Sequence, residues 1–174
     1  MALSVTNGIT ADRITKLNEQ NAKATRNKLL KADSFEELTF GKNEFVYYTG
    51  IKDDKTVGYI FTTSSKGYGG EVSVMTAVNT EGKILQVAIL DATNETPGLG
   101  QNVTKESFYS QYKNKIFGIE VKKNGAKEEN NEINAVTGAT ISSKAVTTAV
   151  NDALNKFKQI TEKAEEGQVE SSEG

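Results

Sequence analysis

Two hydrophobic periods divide this chain. A period of two runs through residues 45–90, and a helical period takes over after residue 140. Phe45-Val46-Tyr47-Tyr48, Val57-Gly58-Tyr59-Ile60-Phe61, Val72 to Val78 and Ile84 to Leu90 are rich in β-branched and aromatic residues and predict strands. Polar turns at Lys52-Asp53-Asp54-Lys55 and Asn79-Thr80-Glu81-Gly82-Lys83 suit antiparallel hairpins. In the third run Val72, Val74, Thr76 and Val78 share one face, and Ser73, Met75 and Ala77 share the other. Small or apolar residues on both faces predict a sheet covered on both sides.

Helical patterns flank this sheet. Residues 8–32 read as a polar helix, with Thr10 as a cap, Asp12 in the first turn, a thin stripe of Ile14, Leu17 and Ala24, and Lys28 and Lys31 at its C-terminal end. Residues 103–114 read as a short helix with Phe108 and Tyr112 four apart, Ile116 to Val121 as a strand, and Asn124-Gly125 as a turn. Lys127 to Glu132 reads as a solvated loop. From about Ser142 to Lys163, Ala145, Val146, Ala149, Val150, Ala153, Leu154 and Phe157 form a stripe that predicts a core helix. The acidic, serine-rich stretch from Gly167 to Gly174 has no apolar residue beyond Val169 and reads as a disordered tail. The expected fold is α+β: an antiparallel-rich twisted sheet packed by an N-terminal and a C-terminal helix. The expected segments are a helix over 1–32, a domain over 33–164 and a tail over 165–174.

Composition narrows the chemistry. The net charge of −2, with basic and acidic residues interspersed, gives no nucleic-acid signature. The chain contains no Cys, His or Trp, which excludes a cysteine or histidine nucleophile or base, Cys/His metal sites and disulfides. Redox work by such a chain needs a borrowed cofactor. No apolar run is long enough for a membrane span, and no secretion signal is visible at the start.

Three loops carry the candidate chemistry. Thr137-Gly138-Ala139-Thr140-Ile141-Ser142-Ser143 precedes the last helix; Thr140 or Ser142 suits a cap, and the unpaired N–H groups of a helix start also suit an anion. Lys66-Gly67-Tyr68-Gly69-Gly70 reads either as a flexible connection or as a phosphate nest, without the ending of a P-loop. Tyr68, a lone ring among glycines, suits a flat ligand. Glu95-Thr96-Pro97-Gly98-Leu99-Gly100 contains a type II turn at Pro97-Gly98 and presents Leu99 at a loop tip.

Together, the three runs resemble the FMN-binding domain family, and most of all the G subunit of the Rnf ion-translocating electron transport complex. The C subunit of the sodium-translocating NADH:quinone reductase is a cousin. The resemblance spans about Leu3 to Ile160. It implies a flavoprotein electron carrier of a membrane-bound ion-translocating oxidoreductase, with no catalytic acid or base of its own. FMN is then held by a phosphoester at Thr140, placed there by a separate magnesium-dependent flavin transferase that uses FAD. The resemblance also implies that Thr137, Gly138, Ala139 and Ser142 surround the phosphate, that Thr96, Gly98 and Leu99 lie beside the ring, and that Glu95 and Tyr68 lie at its edge or face. It implies other subunits of the complex as partners, residues 1–32 as a juxtamembrane helix, and a single membrane anchor outside these residues. The domain is then expected on the extracytoplasmic side of a bacterial membrane. A non-covalent FMN or phosphate-ligand module, or a structural domain without flavin, are the other readings. One departure is Asn134, where the family motif usually has aspartate.

Overall fold

A computed structural model describes residues 22–42 and 44–172, those beyond Lys163 as backbone alone. Five strands, β1 (Ser34–Phe40), β2 (Phe45–Lys52), β3 (Lys55–Lys66), β4 (Glu71–Val78) and β5 (Ile84–Asp91), form one antiparallel meander in chain order. Both expected hairpin turns are present. Asp53 and Asp54 take φ of 53° and 61°, and Gly82 takes 91°. Asn79 accepts the N–H groups of Glu81 and Lys83 on its Oδ1, each at 2.9 Å, which fixes the second turn.

β1 has no counterpart in the sequence reading. Its Glu36-Glu37 pair breaks the apolar alternation, because it is an edge strand with little to bury. Charges on such an edge also discourage pairing with another chain. The strand expected over Ile116 to Val121 shrinks to β6 (Glu120–Lys122), because Ile116 and Phe117 lie exposed in a preceding loop. β6 pairs in parallel with β7 (Glu132–Asn134), so the expected loop over Lys127 to Glu132 ends in strand after a 3-10 turn at Glu128–Asn130.

The two faces of the meander are covered as their alternation requires. Of the N-terminal helix, the described part is α1, residues 22–29; the cap and stripe expected at Thr10, Asp12, Ile14 and Leu17 lie outside the described residues. Leu29 and Leu30, at and just past the end of α1, pack on Ile60, Met75 and Ala77. The helix expected over 103–114 is broken into a 3-10 turn at Gly100–Thr104, α2 (Glu106–Tyr109) and a second 3-10 turn at Ser110–Tyr112. Its spacing still holds: the rings of Phe108 and Tyr112 meet edge to face with centroids 5.7 Å apart.

The other face of the sheet carries α3 (Thr140–Ser172), which starts two residues earlier and runs farther than the stripe predicts. As far as Ser172, the tail expected to be disordered is helical backbone. Ala145, Val146, Ala149, Val150, Ala153 and Leu154 pack on Phe61, Val72, Val74 and Val78. Three polar ties fix the helix in register. Thr63 Oγ1 donates to the Ala149 carbonyl at 2.6 Å, Tyr112 Oη and Thr147 Oγ1 share a hydrogen bond at 2.6 Å, and Asn151 Oδ1 accepts the Ile119 N–H at 3.0 Å. Burial also pushes the Tyr112 phenol well above its usual range, so it stays neutral. No helix among the described residues is long and apolar enough to cross a membrane.

Leu154 is 1% exposed at the centre of this packing. Truncating it to alanine removes apolar contacts and leaves a cavity, so L154A is expected to lower the unfolding free energy by about 2–5 kcal/mol. Urea denaturation followed by circular dichroism measures it, and a loss below about 1 kcal/mol contradicts the assigned core.

Candidate functional site

The antiparallel meander and α3 bring the three sequence loops to one end of the molecule. In the loop after β5 the Glu95 N–H donates to the Ala92 carbonyl at 3.1 Å. The Leu99 N–H donates to the Thr96 carbonyl at 3.1 Å across Pro97-Gly98, and Gly98 takes φ of 76°. This is the expected type II turn, for which the left-handed residue must be glycine or nearly so. It leaves Leu99 45% exposed at the tip.

The segment before α3 is also held by short local bonds. Gly138 takes φ of 76°, and the Ala139 N–H closes a turn onto the Val136 carbonyl at 2.9 Å. Ser143 does the joining: its Oγ accepts the Val136 N–H at 2.9 Å and donates to the Ala139 carbonyl at 2.8 Å. Neither Thr140 nor Ser142 is the expected cap, because Thr140 is already the first residue of the helix and the Ser142 hydroxyl is turned to Glu95. The N–H groups of Thr140, Ile141 and Ser142 have no hydrogen-bond partner among the described residues. They form a donor-rich helix start open to an anion.

Upstream, Gln111 clamps β7 through both atoms of its amide. Its Oε1 accepts the Asn134 N–H at 2.8 Å, and its Nε2 donates to the Asn134 carbonyl at 3.0 Å. The Asn134 side chain accepts the Ala126 N–H on Oδ1 at 3.0 Å. Its role here is that of an acceptor, which an aspartate in the same place also fills.

Tyr68, Thr96, Leu99, Gly100, Gly138, Ala139, Thr140, Ile141 and Ser142 line a cleft of about 540 Å³. Small-molecule sites span roughly 300–1,000 Å³. Seven of the sequence-selected residues meet there: Tyr68, Thr96, Leu99, Gly138, Ala139, Thr140 and Ser142. Thr137 instead lines a neighbouring groove of about 530 Å³ with Lys105, Phe108 and Gln111, and Gly98 serves the turn behind the tip. Gly100 and Ile141 escaped the sequence reading. Ile141 was visible in principle, as an apolar residue off the buried stripe of α3, and it is 54% exposed.

Glu95 is the largest departure from expectation. It does not lie at an open edge: it is 2% exposed, and its carboxylate faces inward. It accepts the Tyr68 N–H at 3.1 Å, the Gly69 N–H at 2.9 Å and the Ser142 hydroxyl. The glycine loop is therefore an anion nest, as its composition allowed, but the anion is the chain's own carboxylate. The loop glycines follow from this. A Cβ on Gly67 would meet Glu95 Oε1 at 2.6 Å, and one on Gly69 would meet the Asn94 carbonyl oxygen at 1.8 Å. Among the described residues no ion pair engages Glu95.

The residues present suit a flat, phosphorylated cofactor. The exposed side chains of Tyr68, Leu99 and Ile141 offer a ring an apolar surface, the first turn of α3 offers N–H donors to a phosphate, and Thr140 offers a hydroxyl between them. Among the described residues, no group of acidic side chains that could hold a metal ion is present.

Burial alone would raise the Glu95 carboxyl, but hydrogen bonds from Ser142 and from the N–H groups of Gly69 and Tyr68 outweigh it and hold it below its usual range. A depressed folded-state value adds stability above the ordinary carboxylate pKa and loses it as pH falls through the folded value. Thermal melts across the acid range should therefore show a stability loss in the wild type that is missing from E95Q. Parallel melting curves for the two proteins would contradict this.

Comparison with known proteins agrees with this geometry. The profile of the FMN-binding domain matches residues 67–155. The chain is 40% identical over 131 residues to the G subunit of the proton-translocating ferredoxin:NAD(+) oxidoreductase complex of Clostridium ljungdahlii, covering 75% of this chain and 68% of that protein. It is 35% identical over 178 residues to the G subunit of the Na(+)-translocating ferredoxin:NAD(+) oxidoreductase complex of Acetobacterium woodii, covering 92% and 85%. In fold it is similar to the C subunit of the Na(+)-translocating NADH-quinone reductase of Parabacteroides distasonis, with a TM-score of 0.60 at 21% identity over 79% of this chain and 82% of that one. The crystal structure of Shewanella oneidensis NqrC gives a TM-score of 0.58 at 23% identity, over 71% of this chain and 69% of that one. The chain belongs to the FMN-binding domain family and is homologous to the G subunits over most of its length.

Proposed function

We propose that this domain is the flavin carrier of the G subunit in a membrane-bound, ion-translocating ferredoxin:NAD(+) oxidoreductase of the Rnf type, and that it carries FMN as a phosphoester on Thr140. The observation that supports this most is the position of the Thr140 hydroxyl. It opens the first turn of α3 on a cleft whose other walls are Tyr68, Leu99 and Ile141. A phosphodiester there meets the N–H groups of the helix start, while a ring lies against the apolar side chains. Bound FMN supplies the electron relay, and the chain supplies the phosphate anchor, the ring's apolar walls and a fixed orientation. Gly138, Ala139 and Ser142 line the anchor end, and Thr96 and Leu99 shape the ring end, with Gly98 forming the turn that presents Leu99.

In this reading attachment is the work of a partner. A flavin transferase with magnesium and FAD fits this need: the threonine oxygen forms a bond to the FMN phosphorus, AMP leaves, and the hydroxyl proton is released. The other partners in this reading are the remaining subunits of the complex, which deliver and remove electrons. The domain then stands on the extracytoplasmic side, tethered to the membrane by a segment outside these residues. The same N–H groups would also hold FMN without a bond, and dialysis under denaturing conditions separates the two cases because only covalent flavin stays with the chain.

Co-expression with a flavin transferase should give an intact mass increased by one FMN less one water in the wild type and no increase in T140A. An adduct that persists in T140A would overturn the assignment. N134D should acquire flavin as the wild type does, since aspartate keeps the acceptor for the Ala126 N–H. N134L should acquire less, read as the flavin-to-protein absorbance ratio of purified protein; equal loading of N134L would contradict a positioning role for this residue.

A further inference from the structure

The chain spends a buried carboxylate on a task that contact with a ligand does not explain. Glu95 is 2% exposed, yet its three donors come from residues that line the cleft or sit directly beside it. Tyr68 and Gly69 give it backbone N–H groups from the loop between β3 and β4, and Ser142 gives it a hydroxyl from the first turn of α3. Gly100, on the third wall, packs so closely that an added Cβ would lie 2.9 Å from Glu95 Cβ and 2.7 Å from Ser142 Oγ. The Tyr68 ring is itself 70% exposed, so little packing holds it. What holds it is the backbone beneath it, which is closed by the Gly67 N–H on the Gly70 carbonyl at 2.7 Å and tied to Glu95 by the Tyr68 and Gly69 N–H groups.

We infer that Glu95 is a positioning residue: its carboxylate ties the Gly67–Gly70 loop to the start of α3 and thereby sets where the Tyr68 ring stands across the cleft from Thr140. This rests on the flavin reading for its functional consequence, namely that Tyr68 is presented to the ring of a bound isoalloxazine. The chemistry of the tie suits the task. Hydrogen bonds to an ionised acceptor are about twice as strong as neutral ones, and one carboxylate has lone pairs enough for every donor named. An amide of the same shape presents one acceptor oxygen and an NH₂ group that cannot accept, so it cannot serve the same donors. Truncation costs more than the bonds themselves, because it strands buried donors.

Two measurements test this, one with no flavin present. In the apoprotein, amide hydrogen exchange by NMR should show the Tyr68 and Gly69 N–H groups protected in the wild type. E95Q should speed their exchange about tenfold or more, and S142A, which removes one donor and keeps the carboxylate, by a smaller factor. E95D, with the charge retained on a shorter arm, should recover part of the protection. In flavin-loaded protein, quenching of flavin emission by the nearby phenol should be lost in Y68L and weakened in E95Q and S142A, although both of these keep Tyr68. Unchanged exchange at Tyr68 and Gly69 in a folded E95Q overturns the inference, as does unchanged emission in a loaded E95Q beside a brightened Y68L. If E95Q does not fold, S142A decides alone: unchanged exchange there overturns the inference. A wild type that takes up no flavin overturns the proposed function instead, and the exchange measurement still decides the role of Glu95.

Discussion

The packing of α3 across the inner face of the meander is the constraint on which the rest depends. Ala145, Val146, Ala149, Val150, Ala153 and Leu154 present a small-residue stripe to Val72, Val74 and Val78, so helix and sheet approach closely. Buried aliphatic side chains contribute roughly 1.5–3 kcal/mol each, and the small helix residues let the sheet's larger ones fill the space. Thr63 then fixes the register by donating to the Ala149 carbonyl. Because α3 cannot slide, its first turn is delivered to one place: the end of the sheet where the loops after β3 and β5 emerge.

At that end a polar arrangement takes over from apolar packing. Backbone N–H groups of the glycine loop need acceptors, and Glu95 supplies them while also receiving Ser142 from α3. A buried carboxylate without a cation is costly to desolvate unless several donors surround it. Here the donors come from the glycine loop and from the first turn of α3, so the charge is satisfied only when the two are brought together. Ser143 does the same on a smaller scale, joining Val136 to Ala139 around Gly138. The first-turn N–H groups of α3 stay open among the described residues because neither serine bonds to them.

The absence of Cys and His gives this architecture its chemical meaning. The cleft is lined by hydroxyls, backbone donors and apolar side chains, groups that suit holding and orienting a flat, phosphorylated ligand. This accords with membership in the FMN-binding domain family.

The chain's own residues made much of this legible. Alternation predicted four of the five strands of the meander, the turn residues predicted their antiparallel pairing, and the stripe after Ser142 predicted the core helix, because each signal is local and periodic. The turns in the three loops were legible because glycine, proline and hydroxyl residues mark backbone geometry directly. β1 was hidden because an edge strand buries too little to show a pattern. The segment at 103–114 kept its Phe108–Tyr112 contact but broke into shorter turns. The inward turn of Glu95 could not be read at all, because its donors lie 26, 27 and 47 residues away in sequence. Sequence by itself thus determined four strands of the meander, the core helix, the family resemblance and the hydroxyl at Thr140. Tertiary structure alone decided that Glu95 faces the glycine loop, that Ile141 completes the cleft and that Thr137 lies outside it, since burial and hydrogen-bond partners across loops exist only once α3 is docked on the sheet.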